Sequence, residues 1–171
     1  MMIWPAYINQ SFLQVDPNST DAASYYGPYN TLLNHAFPAA QGFEVIPMPH
    51  QGCDTSLLFA VKKHGTAVLF LDVRAPISAV SIPASDIQEA VKAMSCALCK
   101  VPYRVKGVSA FGSRYVVYDY EYDAAANELD ARAGVPAMVE DGEGERDVRT
   151  EEGAHRWREL ARCVGAAVPE A

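Results

Sequence analysis

The strongest pattern in the chain is a pair of apolar runs, Leu57-Leu-Phe-Ala-Val61 and Ala67-Val-Leu-Phe-Leu71, divided by the polar segment Lys62-Lys-His-Gly65. This predicts two strands, about Thr55–Val61 and Thr66–Val73, joined by a tight glycine turn over Lys62–Gly65. Neither run alternates with polar residues, so both faces of these strands are expected to be buried, as in a sheet with helices over it. The second run ends in Asp72-Val73-Arg74, and residues two apart on a strand share a face. Asp54, at the start of the first strand, falls opposite that end. Two carboxylates and a cation then meet at one strand edge, an arrangement that either holds a divalent metal beside a phosphate or forms a buried ion pair.

Further elements follow from the same reading. Residues 1–20 mix Pro, Asn, Ser and Asp and read as an irregular N-terminal arm, docked because Trp4, Tyr7 and Phe12 are costly to leave in water. Ser19 or Thr20 caps a segment beginning near Asp21 whose apolar positions are Tyr25, Tyr29, Leu32, Leu33 and Phe37. Gly27-Pro28 divides it into a short turn and a helix through His35. A short strand is expected at Phe43–Ile46. Ile87, Val91, Met94 and Leu98 mark one face of a helix capped by Ser85 or Asp86 and closed by Pro102. A strand pair, Gly107–Phe111 and Arg114–Tyr122, turns at Gly112-Ser113. Residues 130–149 read as a loose acidic loop, and the chain closes with a helix, about Glu151–Val164, that buries Trp157, Leu160 and Val164.

Composition narrows the function classes. A length of 171 residues, half of them apolar, suits one soluble domain, here 21–171 behind the arm. No apolar run reaches membrane-spanning length, and the N-terminus has no basic flank with an apolar h-region. An intracellular protein of cytoplasm or nucleus is therefore expected. The formal net charge of −7 argues against broad, nonspecific binding to nucleic acid but leaves a local basic cleft open. Most of that excess sits in residues 140–152, which hold seven acids against Arg146 and Arg149.

Other reactive side chains carry weaker signals. Cys96 and Cys99 form a Cys-x-x-Cys pair inside the predicted helix, with no second close pair or histidine to complete a zinc set, so a structural role is expected. His50 lies in a proline-rich loop four residues before Asp54, within range for acid–base chemistry. His64 falls in the hairpin turn, at the far end of the strands, and is expected to be exposed. His35 is placed at a helix end, where a cation is mildly favoured. Tyr118, Tyr120 and Tyr122 are expected to fill the core and flank an interface.

In order and residues the chain resembles the PD-(D/E)xK nuclease superfamily, in a form common among uncharacterised fungal proteins. The stretches that carry the likeness are Tyr25-Tyr-Gly-Pro-Tyr-Asn30, Leu69-Phe-Leu-Asp-Val-Arg74, Asp86-Ile-Gln88, and Gly107-Val-Ser-Ala-Phe-Gly112 followed by Tyr118, with the closing Glu151–Cys163 helix. The resemblance implies an α/β (α+β) restriction-endonuclease-like core: a helix, a three-stranded meander, a helix and a further strand, forming a mixed central sheet flanked by helices.

The resemblance also implies a site. Asp54 matches the aspartate opening the second core strand, and Asp72-Val73-Arg74 matches the acid-x-lysine motif with arginine in place of lysine. Gln88 matches a helix glutamine that orients the site, although Lys92 stands where some members have a tyrosine. Asp21 is the nearest acid to the glutamate of the first helix. In an active member, Asp54, Asp72 and the backbone carbonyl of Val73 would hold Mg2+ or Mn2+, as oxygen ligands suit these ions. Arginine steadies charge but is a poor proton acceptor. The implied function is therefore a degenerate nuclease fold, non-catalytic or weakly active, that binds a protein partner, a second copy of itself or nucleic acid. The alternative is a metal-dependent phosphodiesterase.

Overall fold

In the computed structural model, which describes residues 4–48, 56–76, 104–121 and 146–166, the two apolar runs lie in the middle of a six-stranded sheet. Its strands are β1 (Phe43–Met48), β2 (Ser56–Lys63), β3 (Thr66–Arg74), β4 (Arg104–Phe111), β5 (Arg114–Glu121) and β6 (Arg146–Asp147). They lie side by side in chain order. Every neighbouring pair is antiparallel except β3 and β4, which run parallel. A parallel pair obliges the intervening chain to cross from one end of the sheet to the other. Most of that connection, with the predicted helix over Ile87–Leu98, lies outside the described residues.

The β2–β3 turn sits one residue later than the sequence pattern predicts. Lys63 pairs with Thr66, so the loop is His64-Gly65 alone. Both residues have positive φ, 49° and 79°, the requirement of the type I′ turn that matches strand twist. Further along, Val61 pairs with Leu69 while Lys62 pairs with Ala67, leaving Val68 as an extra residue. This bulge lets Val68 and Leu69 both join the same core.

The N-terminal segment is not an irregular arm. Ala6–Leu13 forms helix α1, because Trp4, Ile8 and Phe12 recur every four residues and make one apolar stripe. The stripe is only three residues long within polar sequence, so composition masks it. Trp4 Nε1–H donates to the Val148 carbonyl at 2.9 Å, which ties this segment to the far end of the chain. Tyr7 stays on the surface. Next, Asp21 caps a 3-10 turn (Ala22–Tyr25) by accepting the Ala23 N–H at 2.8 Å. Helix α2 (Tyr26–Ala36) follows directly. Gly27 and Pro28 occupy its first turn, where proline's missing N–H costs no helical bond.

Helix α3 (Glu151–Ala166) buries Ala154, Trp157, Leu160 and Val164. Thr150 Oγ1 caps it, accepting the Gly153 N–H at 3.1 Å and donating to the Asp147 carbonyl at 2.8 Å. Glu151 and Glu152 in its first turn suit the positive end of the helix dipole. Just before it, Arg146-Asp147 adds the edge strand β6 in a stretch that reads as loose loop in the sequence. Two residues are too few to show a period.

The three helices among the described residues contribute to one core against one face of the sheet. That face presents Phe59, Val61, Leu69, Leu71, Val73, Val108, Ala110 and Tyr115. Trp157 stands edge-on to Tyr115 with ring centroids 5.0 Å apart. Each large side chain buried in this way contributes roughly 1.5–3 kcal/mol. The buried phenols keep their protons, because burial raises the pKa of both Tyr29 and Tyr115. Tyr29 donates to the Gly112 carbonyl at 2.8 Å and Tyr115 to the Gly153 carbonyl at 2.6 Å.

Two outcomes follow. A methyl on Gly153 would land on the Asp147 carbonyl oxygen, a backbone atom that cannot step aside. Gly153→Ala is expected to destabilise the protein by at least about 2 kcal/mol in urea denaturation. Burial works to raise the Asp147 carboxyl, but the Arg149 side chain and N–H and the Ser113 hydroxyl outweigh it and hold it below the ordinary 3.8. A carboxyl lowered on folding stabilises above its unfolded value, and that stabilisation fades as pH falls through the folded one. Asp147→Asn should therefore cost roughly 1–2 kcal/mol at neutral pH. The difference from the parent protein should shrink steadily as unfolding is measured below pH 3.8.

Candidate functional site

The opposite face of the sheet carries Asp72 and Arg74, two of the residues singled out for chemistry. Strand register fixes which side chains line up there. Leu58, Asp72, Ser109 and Val116 form one row across β2, β3, β4 and β5. The next row toward the carboxyl end of β3 includes Arg74, Phe111 and Arg114. Leu58, Phe70, Asp72, Ser109 and Phe111 on this face are all buried. It is therefore an interior face, with a carboxylate set among apolar side chains.

Asp72 and Arg74 are brought together as their i, i+2 spacing requires. Arg74 Nε donates to Asp72 Oδ2 at 2.9 Å. The carboxylate side chain is 1% exposed and the guanidinium side chain 17%. Coulomb attraction at this range is on the order of 4 kcal/mol at an effective dielectric constant of ~20. Withdrawing a carboxylate from water costs several kcal/mol, so the pair roughly breaks even as a unit while loss of one partner is expensive. β3 ends at Arg74, so its side chain reaches the protein edge while Asp72 stays inside.

The other candidates scatter. Val73 points into the helix-covered core and is fully buried. β3 is a central strand, with Val73 paired to Leu57 on one side and Ala110 on the other. Asp21 is an exposed helix cap. His35 lies in the last turn of α2, its Nδ1 2.8 Å from Tyr7 Oη. His64 is exposed in the hairpin turn, as expected. Asp54, Gln88 and His50 lie outside the described residues, as do Cys53, Cys96 and Cys99. The partners observed opposite Asp72 and Arg74 on β2 are Leu58 and Ser56.

One neighbour was not singled out from sequence. Ser109 sits directly beside Asp72 on the adjacent parallel strand, and its Oγ is buried without a hydrogen bond among the described residues. The available signal was a lone hydroxyl inside the apolar run Val108-Ser109-Ala110-Phe111. Past the end of β3, a small cavity of about 190 Å3 is lined by Pro76, Phe111, Ser113, Arg114 and Arg149. Gly112 N–H donates to the Arg74 carbonyl at 3.0 Å and closes the chain around this corner.

Among the described residues, no three His, Cys, Asp or Glu side chains converge as a metal site would require. Asp72 brings one carboxylate with Arg74 already against it. Mg2+ or Mn2+ needs about six oxygen ligands, so this donor set by itself does not fit such an ion. Nor, among the described residues, is any helix long and apolar enough to cross a membrane. Compared with known protein families, with curated proteins and with solved structures, the chain matches none.

The ion pair makes an asymmetric prediction. Arg74→Met withdraws charge from an interior carboxylate and should cost about 3 kcal/mol, whereas Asp72→Asn frees a guanidinium that can turn to water and should cost about 1 kcal/mol. The double variant should be more stable than Arg74→Met alone. Equal losses in urea denaturation would refute the assignment of Asp72 as the buried, dependent partner.

Proposed function

We propose that this protein is a degenerate nuclease-fold protein of the PD-(D/E)xK type, catalytically silent or weak, that acts by binding a protein partner or nucleic acid. The observation that carries the reading is the Arg74 Nε–Asp72 Oδ2 contact at 2.9 Å. In a nuclease of this type the strand acid would ligate a metal, and a lysine two residues on would face the attacking water. Here a guanidinium sits on the acid instead. It neutralises the carboxylate a metal would need, and arginine is a poor proton acceptor.

The chain order lends further support. Helix α2 is followed by the antiparallel β1–β2–β3 meander and then by β4 parallel to β3. The order of these described elements agrees with the resemblance, whose second helix falls outside the described residues. Asp72 and Arg74 stand toward the carboxyl end of β3.

The test is a cleavage assay with single- and double-stranded DNA and RNA in Mg2+ or Mn2+, paired with calorimetric titration of Mn2+. The expected result is no cleavage above the Asp72→Asn background and no Mn2+ heat that depends on Asp72. Metal-dependent cleavage abolished by both Asp54→Asn and Asp72→Asn would overturn the proposal and establish a phosphodiesterase.

A further inference from the structure

A larger cavity, about 460 Å3, opens at the hairpin end of the sheet, between the end of α2, the start of β1, the end of β2 and α3. It lies at the far end of β2 and β3 from Arg74. Lys63, Arg158, Arg162 and His35 line it beside Trp4 and Phe43, and none of its described lining residues is acidic. In a chain of net charge −7, three full positive charges and an imidazole thus gather around one hollow.

The cations come from two elements, β2 and α3. Arg158 and Arg162 are four apart on α3, so they rise from the same helix face. Lys63 enters from β2 and is only 8% exposed. Its Nζ donates to the Gly165 carbonyl at 2.7 Å and lies 5.4 Å from the centre of the Phe43 ring. The Arg158 guanidinium lies 4.6 Å from the centre of the Trp4 ring. Both aromatic faces are thus turned to cations, so a ligand here is recognised by its charge and not by stacking.

We propose that this cavity binds a phosphoryl group, carried either by a small phosphate compound or by the terminal phosphate of an oligonucleotide. Two arginines supply forked donors that match phosphate oxygens, and the lysine adds a point charge. The volume lies within the range of small-molecule sites, roughly 300–1,000 Å3. The inference is independent of the reading of Asp72 and Arg74, which stand at the other end of the strands.

Isothermal titration at low salt tests it, with pyrophosphate, AMP, and one oligonucleotide with and without a 5′-phosphate. Pyrophosphate is expected to bind with Kd below about 1 mM, more weakly as salt rises. Arg162→Gln, at an exposed position, and Lys63→Met should each weaken it about tenfold, while Asp72→Asn leaves it unchanged. Binding of the 5′-phosphorylated oligonucleotide about tenfold tighter than its hydroxyl counterpart would identify a terminal phosphate as the source; AMP and pyrophosphate alone would identify a small compound. No heat from any phosphoryl probe at about 10 mM, or binding indifferent to Arg162→Gln and Lys63→Met, would overturn the proposal.

Discussion

β3 is withdrawn from water on both faces, and this constraint governs the rest of the structure. Seven of its nine residues are buried, and one of the seven is Asp72. A carboxylate held at that depth demands compensation, and Arg74, two residues away on the same face, supplies a cation. Arg74 serves because the strand ends there, which lets a long side chain fold back over the acid while its own surface still meets solvent. In the reading proposed above, this ion pair is also what keeps the carboxylate from a metal.

The other face depends on polar groups finding partners across large sequence distances. Trp4 bonds to Val148, Tyr29 to Gly112 and Tyr115 to Gly153, each joining a side chain to a backbone carbonyl that would otherwise be buried. These contacts draw the N-terminal helix, the middle of the sheet and the closing helix into a single core. The close approach at Gly153 lets α3 start immediately behind β6. Where α2, α3 and the β2 end of the sheet meet, the packing leaves the cationic cavity. Its described lining residues include Lys63, Arg158 and Arg162 and no acid.

Strong patterns proved readable and short ones did not. The central strands, the second hairpin at Gly112-Ser113, α2 and the Trp157 face of α3 all follow from runs or periods several residues long. Helix α1 rests on three apolar positions and β6 on two residues, too few for periodicity to stand out. Ser109 belongs to the candidate site through its register with Asp72, and a lone hydroxyl in an apolar run is the one local trace of it. The cationic cavity is similarly invisible in sequence, because Lys63 and Arg158 are 95 residues apart.

Sequence alone determined that Asp72 and Arg74 share a strand face, because side-chain alternation on a strand is a local, steric property. It likewise determined that β2 and β3 form a hairpin, since apolar runs flanking a glycine turn have few other ways to bury themselves. Only the tertiary structure decided that Asp72 lies beside Ser109, that its face is interior, and that three cations from two distant elements border one cavity. Those outcomes depend on parallel pairing and helix docking, which bring together residues whose separation along the chain carries no trace of their proximity in space.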